Sequence, residues 1–212
     1  MQHSKVTGVY RWVHALMGVM FTTFAVLGAP SVSFAVQGPP GGRAVPTIAV
    51  IPVSRQTLPP FAHARFCVVF PEECVPRQAR GNNRRMGLKE LQRVNLDINL
   101  RITPRTDEGD DWTLADGQGD CEDYALLKRK ELLERGWSSR QLRIATALTQ
   151  DGVGHAVLVA RFQGQDYVLD NLSGVLRLWH ETGYQFTKIQ SEKDPKVWYA
   201  VAQYAAPQAP LS

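Results

Sequence analysis

Cysteine is scarce in this chain: Cys67, Cys74 and Cys121 are the only three in 212 residues. That number cannot build a small domain stapled by several disulfides. No His or Cys follows Cys67 and Cys74 at zinc-finger spacing, which removes that class of metal module. Acidic residues are absent from the first 35 positions, where Lys5 and Arg11 are the only Lys or Arg. Without those two the 24 basic residues fall to 22, against 20 acids, a balance of +2. Such a balance, with no Lys/Arg stripe interleaved with aromatics, argues against a nucleic-acid footprint. No internal repeat is present, so solenoids and propellers are set aside. The longest apolar run, residues 13–29, is diluted by Gly18, Thr22, Thr23 and Gly28. It falls short of the about 20 apolar residues that a membrane span needs.

What is present fits one domain of ordinary size with a real hydrophobic core, since 44% of residues are apolar and 21% charged. Residues 1–35 read as an export signal: Lys5 and Arg11, then the apolar run, then Ser33-Phe34-Ala35 with small residues at both positions of a cleavage site. The alternative is a retained N-terminal anchor. Either way the protein is expected to work outside the cytoplasm, in the periplasm. In an oxidising space Cys67 and Cys74, which flank a six-residue loop containing Pro71, pair as a local disulfide and leave Cys121 free. Two buried thiols are the competing reading.

Residues 36–60 carry Gln37-Gly38-Pro39-Pro40-Gly41-Gly42 and end in Leu58-Pro59-Pro60, a composition expected of a flexible leader outside the core. The domain is then expected over 61–206. Leu88, Leu91, Val94 and Ile98 recur at helical steps and predict a helix over 87–102. Residues 101–119 are polar and rich in Gly and Asp, and read as a surface loop. A second helix starts at Cys121, with Asp120 as N-cap, Asp123 in a capping-box position and Gly136 as its terminating glycine. Strands follow at 142–149, 155–162 and 165–172, separated by turns at Gln150-Asp151-Gly152 and Gln163-Gly164. Trp198, Tyr199 and Val201 are expected to add an edge strand. One helix followed by an antiparallel meander predicts an α+β fold.

The chemistry concentrates in Gly119-Asp120-Cys121-Glu122-Asp123-Tyr124. A cysteine in the first helical turn meets free amide groups that stabilise a thiolate and a developing oxyanion. The bland alternative is a structural cysteine in an amphipathic helix. His155 opens a core strand, whereas His3 and His14 lie in the signal, His63 in a linker-like region and His180 past the meander. A two-residue turn at Gln163-Gly164 sets Phe162 opposite Gln165 and Val157 opposite Asp170. Asp170 is then a diagonal same-face neighbour of His155, about 7–8 Å away between backbone positions. Cys121, His155 and Asp170 thus form a candidate nucleophile, base and orienting acid, with Asn171 as the alternative third member. Asp120, Glu122 and Asp123 crowd negative charge around a sulfur that must itself ionise. Either a divalent cation such as Ca²⁺ neutralises these hard oxygen donors, or they simply favour a helix start.

These residues resemble the bacterial transglutaminase-like cysteine proteinases, the family that includes the periplasmic LapG-type adhesin proteases. The resemblance runs from about residue 66 to 204. It is carried by Phe66-Cys67, Glu73-Cys74, Val94-Asn95, Ile98-Asn99, the Gly119–Tyr124 motif, Leu127-Lys128, Gly154-His155-Ala156-Val157-Leu158, Val168-Leu169-Asp170-Asn171-Leu172 and Gly183-Tyr184. It implies a papain/transglutaminase-like core with the nucleophile at a helix N-terminus packed on an antiparallel sheet. It further implies Cys121 as nucleophile, His155 as base and Asp170 as orienting acid. Asp120 and Glu122 match positions that bind regulatory calcium, and no organic cofactor is implied. The implied role is proteolysis after export, acting on a surface or envelope protein, in some members under an inner-membrane receptor. A transglutaminase or protein deamidase would use the same three residues, and a non-catalytic binding module would have no need to keep them.

Overall fold

The computed structural model describes residues 49–80, 86–105 and 109–203. The expected export signal, the leader up to residue 48 and the expected end of the domain at 204–206 lie outside the described residues. The chain enters through β1 (Val53–Thr57), α1 (Phe61–Val69), a 3-10 turn at Pro71–Cys74 and α2 (Leu88–Arg101). Two short strands, β2 (Thr103–Pro104) and β3 (Gln118–Gly119), bracket the loop before α3 (Cys121–Glu134). The meander then runs through β4 (Leu142–Leu148), β5 (Gly154–Phe162) and β6 (Gln165–Leu169). It is completed by β7 (Arg177–Leu178), β8 (Gln185–Gln190) and β9 (Trp198–Val201). The large sheet is ordered β1-β9-β8-β4-β5-β6-β7, with every pair antiparallel, so the architecture is α+β as expected. Among the described residues no helix is long and apolar enough to cross a membrane.

Side-chain alternation along the strands builds two apolar layers. Ala156, Leu158 and Ala160 of β5 pack with Leu142 and Ile144 of β4 under Leu91, Val94 and Ile98 of α2 and Leu126, Leu132 and Leu133 of α3. Val157 and Val159 point the other way, into a smaller cluster with Val168, Trp179, Phe186 and Ile189. Helix α3 stops at Gly136, whose φ of 103° no side chain favours. Gly136 N–H bonds Leu133 O and Trp137 N–H bonds Leu132 O, both at 3.1 Å, which closes the last carbonyls in a Schellman arrangement.

Three sequence expectations change. Residues 49–60 do not behave as leader: β1 pairs with β9, and Ile51 is buried in the second apolar cluster. Composition could not register this, because the partners are remote. Ile51 N–H donates to Asp166 Oδ2 (2.8 Å), Asp166 N–H to Ala49 O (2.9 Å) and Ala202 N–H to Pro52 O (2.9 Å). Residues 198–201 form a strand but not an edge, since β1 covers its outer side. The loop 101–119 contains the parallel β2–β3 pair and the buried Trp112, which tie its base to the start of α3.

The anchor of the β1 end is Asp166, 0% exposed. Its carboxylate takes Arg143 Nη2 on both oxygens at 2.9 Å, and Arg161 through Nε and Nη2 at 2.5 and 3.0 Å. Although burial opposes ionisation, these bonds hold its pKa below the ordinary aspartate value. Asp166→Asn leaves two guanidinium groups short of their countercharge. It is expected to cost about 3–5 kcal/mol of unfolding free energy. Urea denaturation measures this, and a loss under about 1 kcal/mol would contradict the anchoring role.

Candidate active site

The parallel β2–β3 pair delivers the chain into α3 through Gly119 and Asp120. A Cβ on Gly119 would sit 2.6 Å from Asp123 Oδ2 and 2.7 Å from Asp123 Cβ, so the helix start closes only over a glycine. Asp120 occupies the N-cap with extended backbone, but its side chain makes no capping bond, contrary to expectation. Asp123 accepts from the Asp120 backbone N–H, as the capping-box position leads one to expect, and its Oδ1 also accepts from Thr113 N–H (2.7 Å) and Thr113 Oγ1 (3.1 Å) in the loop. Burial pushes the Asp123 pKa up against these bonds.

Cys121 is the first residue of α3 and is half-buried. Its thiol donates to Glu122 Oε2 at 3.0 Å, and Ala156 N–H donates to its sulfur at 3.4 Å. Burial drives the thiol pKa well above its ordinary value; the charge of Glu122 and its hydrogen bond add to that, the Ala156 amide opposes it and Asp120 contributes further. The tension expected between the sulfur and its acidic neighbours is therefore present. Glu122 shares the strain: burial, with Asp120 adding, pushes it up to about 7 while the Cys121 bond opposes.

His155 is the second residue of β5, and the hairpin register carries its partner to it. Gln163 and Gly164 have φ of 49° and 77°, as a two-residue type I′ turn requires, and Phe162 pairs with Gln165 and Leu158 with Leu169. Asp170 follows directly after β6, and His155 Nε2 lies 2.9 Å from Asp170 Oδ1. Leu172 N–H donates to the same oxygen at 3.0 Å, and the Tyr184 hydroxyl donates to Oδ2 at 2.6 Å. Burial works against ionisation of Asp170, yet these bonds hold its pKa below the ordinary value. Burial and Asp170 together push the Tyr184 phenol up, so it stays a donor. Its ring meets the His155 imidazole edge-on, with centroids 5.4 Å apart.

Two clefts, about 510 and 360 Å³, share Cys121, Glu122, Gly154 and His155 as lining residues. Arg105, Thr149, Val153, Asn171 and Leu172 line the first, Trp112, Thr146 and Thr187 the second. The nucleophile candidate thus stands where two open channels meet, as a site for an extended chain requires. Asp170 bonds the imidazole, and Asn171 lines the cleft. Of the three acids near the sulfur, Asp120 interacts with both Glu122 and Asp123, and Asp123 also reaches the loop at Thr113.

Sequence reasoning quoted Asn95, Asn99 and Tyr184 without giving them a role. The structure shows Asn99 Nδ2 on Asp170 O and Asn95 Nδ2 on Ser173 O, both 2.8 Å, pinning the residue 170–173 loop to α2. Helical spacing of the two asparagines on one face was the available signal. His63 is not in a linker. It is buried in α1, its ring nitrogens 3.0 Å from Gln190 Nε2 and 3.3 Å from Trp198 Nε1, and burial, with Arg129, lowers its pKa to about 4. Cys67 and Cys74 are disulfide-bonded with Cα atoms 5.5 Å apart, as expected. His63 gathers with these two sulfurs, but the thiolates that a metal would need are consumed in the bond.

The sequence model of the bacterial transglutaminase-like cysteine proteinases (BTLCP) matches residues 53–206, beginning at the first residue of β1. The chain belongs to this family. It is a cysteine peptidase of the transglutaminase-like class. Comparison with curated proteins finds no match. Among solved structures it is similar to Legionella pneumophila LapG, at 26% identity and a TM-score of 0.48, covering 56% of this chain and 72% of that one. An EGTA-treated form of the same protein matches at 26% identity and 0.48, covering 56% and 70%. A calcium-bound form matches at 24% and 0.49, covering 60% and 77%.

The electrostatics predict a pH effect. With the folded pKa of Glu122 near 7 and an unfolded value near 4.5, the folded protein holds the extra proton between these limits. Stability contributed by this group is therefore present at low pH and lost as pH rises through about 7. Glu122→Gln should remove that slope and, by taking a negative charge from the sulfur, raise the rate of iodoacetamide labelling of Cys121 at pH 7 about tenfold. Urea denaturation across pH 5–9 checks the slope and labelling rates over the same range check the thiol; an unchanged rate would mean that Glu122 does not govern the thiol.

Proposed function

We propose that Cys121, His155 and Asp170 form the catalytic triad of a cysteine endopeptidase that cleaves an exported or cell-surface protein. The carrying observation is the buried His155–Asp170 bond of 2.9 Å beside a helix-start cysteine at the meeting of two clefts. With Nε2 committed to Asp170, Nδ1 of His155 is the nitrogen left to take the Cys121 proton. The thiolate then attacks the substrate carbonyl, the first-turn amides of α3 steady the oxyanion, and the imidazolium returns its proton to the leaving amine. Asp170 stays ionised throughout, held by Tyr184 and Leu172. A transglutaminase or deamidase would share these steps up to the acyl-enzyme and differ in what resolves it. The open, two-sided cleft favours a polypeptide main chain as substrate, and thus the peptidase.

Export to the periplasm is part of this reading, supported by the charge and apolar pattern of residues 1–35 and by the Cys67–Cys74 disulfide. Regulation by an inner-membrane receptor is a further part, resting on the family resemblance alone. Cys121→Ala should abolish cleavage and leave the fold intact. Mass spectrometry of envelope proteins from cells with the wild-type or the Cys121→Ala protein should show new termini in the former only. Gln-to-Glu conversion or cross-links in place of new termini would select the deamidase or transglutaminase, and no difference at all would select a binding module.

Calcium fits the donor chemistry at Asp120 and Glu122: two neighbouring acids, one of them buried and held near neutrality, are relieved by a hard cation. Bound there, Ca²⁺ would supply positive charge that favours the thiolate. Asp120 and Glu122 would hold it, and Glu122 would then release the Cys121 proton to His155. Calcium is expected to speed iodoacetamide labelling of Cys121 about tenfold, the equivalent of one pKa unit. Asp120→Ala or Glu122→Ala should remove the response. Full activity in excess chelator, with no heat of binding by calorimetry, would leave these acids as helix-start residues.

A further inference from the structure

A cleft of about 390 Å³ opens where β1 meets the connection between β8 and β9. Arg140, just before β4, Arg143, on β4, Arg161, near the end of β5, and Lys193, in the β8–β9 connection, all line it. It shares no lining residue with the two clefts at Cys121. Arg161 lies six residues beyond His155 on β5, about 20 Å at the rise of a strand. The cleft is therefore separate from the thiol site.

Two carboxylates answer these four cations. Asp166, fully buried behind the wall, is filled by Arg143 and Arg161. Glu192 is divided among three guanidinium groups: Oε1 lies 3.0 Å from Arg161 Nη1 and 4.0 Å from Arg143 Nη1, and Oε2 lies 3.6 Å from Arg140 Nε. Of these, only the Arg161 contact is a hydrogen bond. Lys193 forms no ion pair among the described residues. Four positive charges against two negative leave an excess of +2 around one cleft. Arg143 registers the crowding: burial pulls its pKa below the ordinary value, Asp166 opposes, and the neighbouring Arg161 charge adds to the fall.

Anchoring of the β1 end accounts for Arg143 and Arg161, which bond Asp166. It does not account for Arg140 and Lys193, which are exposed and line the same cleft. We infer that the cleft is a binding site for a doubly charged oxyanion of the phosphate class. Guanidinium forks match the oxygens of a phosphate, and a lysine adds a point charge. A phosphate monoester carries about −1.5 to −2 at pH 7, which offsets the excess, whereas a monocarboxylate leaves part of it standing. The inference is independent of the triad reading.

The other walls complete such a site. Ser191 is buried, and its hydroxyl accepts from Lys193 N–H at 3.0 Å, which leaves its own proton to donate. Val50, Ile51 and Val53, with Tyr199, form an apolar side that suits an organic group carried by the phosphate. A ligand held between these walls ties β1 to the β8–β9 connection, and so stabilises the folded chain by mass action.

The test is calorimetric titration of the full chain with inorganic phosphate and with phenyl phosphate, against potassium chloride at equal ionic strength as the control for screening. A single equivalent should bind, and should raise the thermal midpoint where chloride does not. The double variant Arg140→Gln, Lys193→Gln should weaken binding about tenfold or more. Both residues are exposed and outside the Asp166 network, so the fold is kept. Lys89→Gln with Arg93→Gln removes the same charge from the exposed face of α2 and should leave binding unchanged. Tighter binding of phenyl phosphate supports a monoester lying against the apolar side, and equal binding supports the free ion. Binding of neither beyond the chloride control, or equal losses in the two double variants, overturns the inference.

Discussion

The register of the β5–β6 hairpin is the constraint on which the site depends. Positive φ at Gln163 and Gly164 closes a turn of two residues, and every later pair down to Leu158 and Leu169 is counted from it. A slip by one residue would send Asp170 to the opposite face of the sheet and leave His155 without an acid. The hairpin is held from outside as well. Asp166 locks the turn end to Arg143 and Arg161, while Asn99 holds the Asp170 carbonyl at the other. Register here is secured at both ends of the strand.

A second theme is charge placed in low dielectric. The thiol and Glu122 lie together where burial disfavours both ionised forms; Glu122 and Asp120 raise the proton affinity of the thiol, and Asp120 raises that of Glu122. On the far side of the imidazole the balance is reversed: donors from Tyr184 and Leu172 keep Asp170 ionised in spite of burial. The site is therefore polarised, protonated around the sulfur and ionised around the carboxylate, with His155 between. Whatever neutralises the acid pair beside Cys121 moves the first half without disturbing the second.

Much of this was legible in the residues. Helix α3 was announced by Asp120 and Gly136, and α2 by Leu88, Leu91, Val94 and Ile98. The neighbourhood of His155 and Asp170 followed from one turn dipeptide. These are local signals, each complete within one element or hairpin. What escaped was non-local. The place of β1 depends on Asp166, over a hundred residues away, and His63 becomes a core residue only when Trp198 and Gln190 arrive. The side-chain cap expected of Asp120 is not made, and the loop donors at Thr113, which composition could not rank, engage Asp123. Tyr184 escaped too, since nothing in its local pattern points to Asp170.

The pairing of β1 with β9 has a bearing on how the chain tolerates processing at its N-terminal side. Because β1 is the outermost strand, it converts β9 from a rim into an interior member of the sheet. A chain trimmed back to Pro60 would leave the outer amide and carbonyl groups of β9 without partners, along a strand that carries Trp198 and Tyr199. Bare strands of that kind accept a further strand from another molecule. The short segment that composition dismissed as spacer thus guards the sheet against self-association.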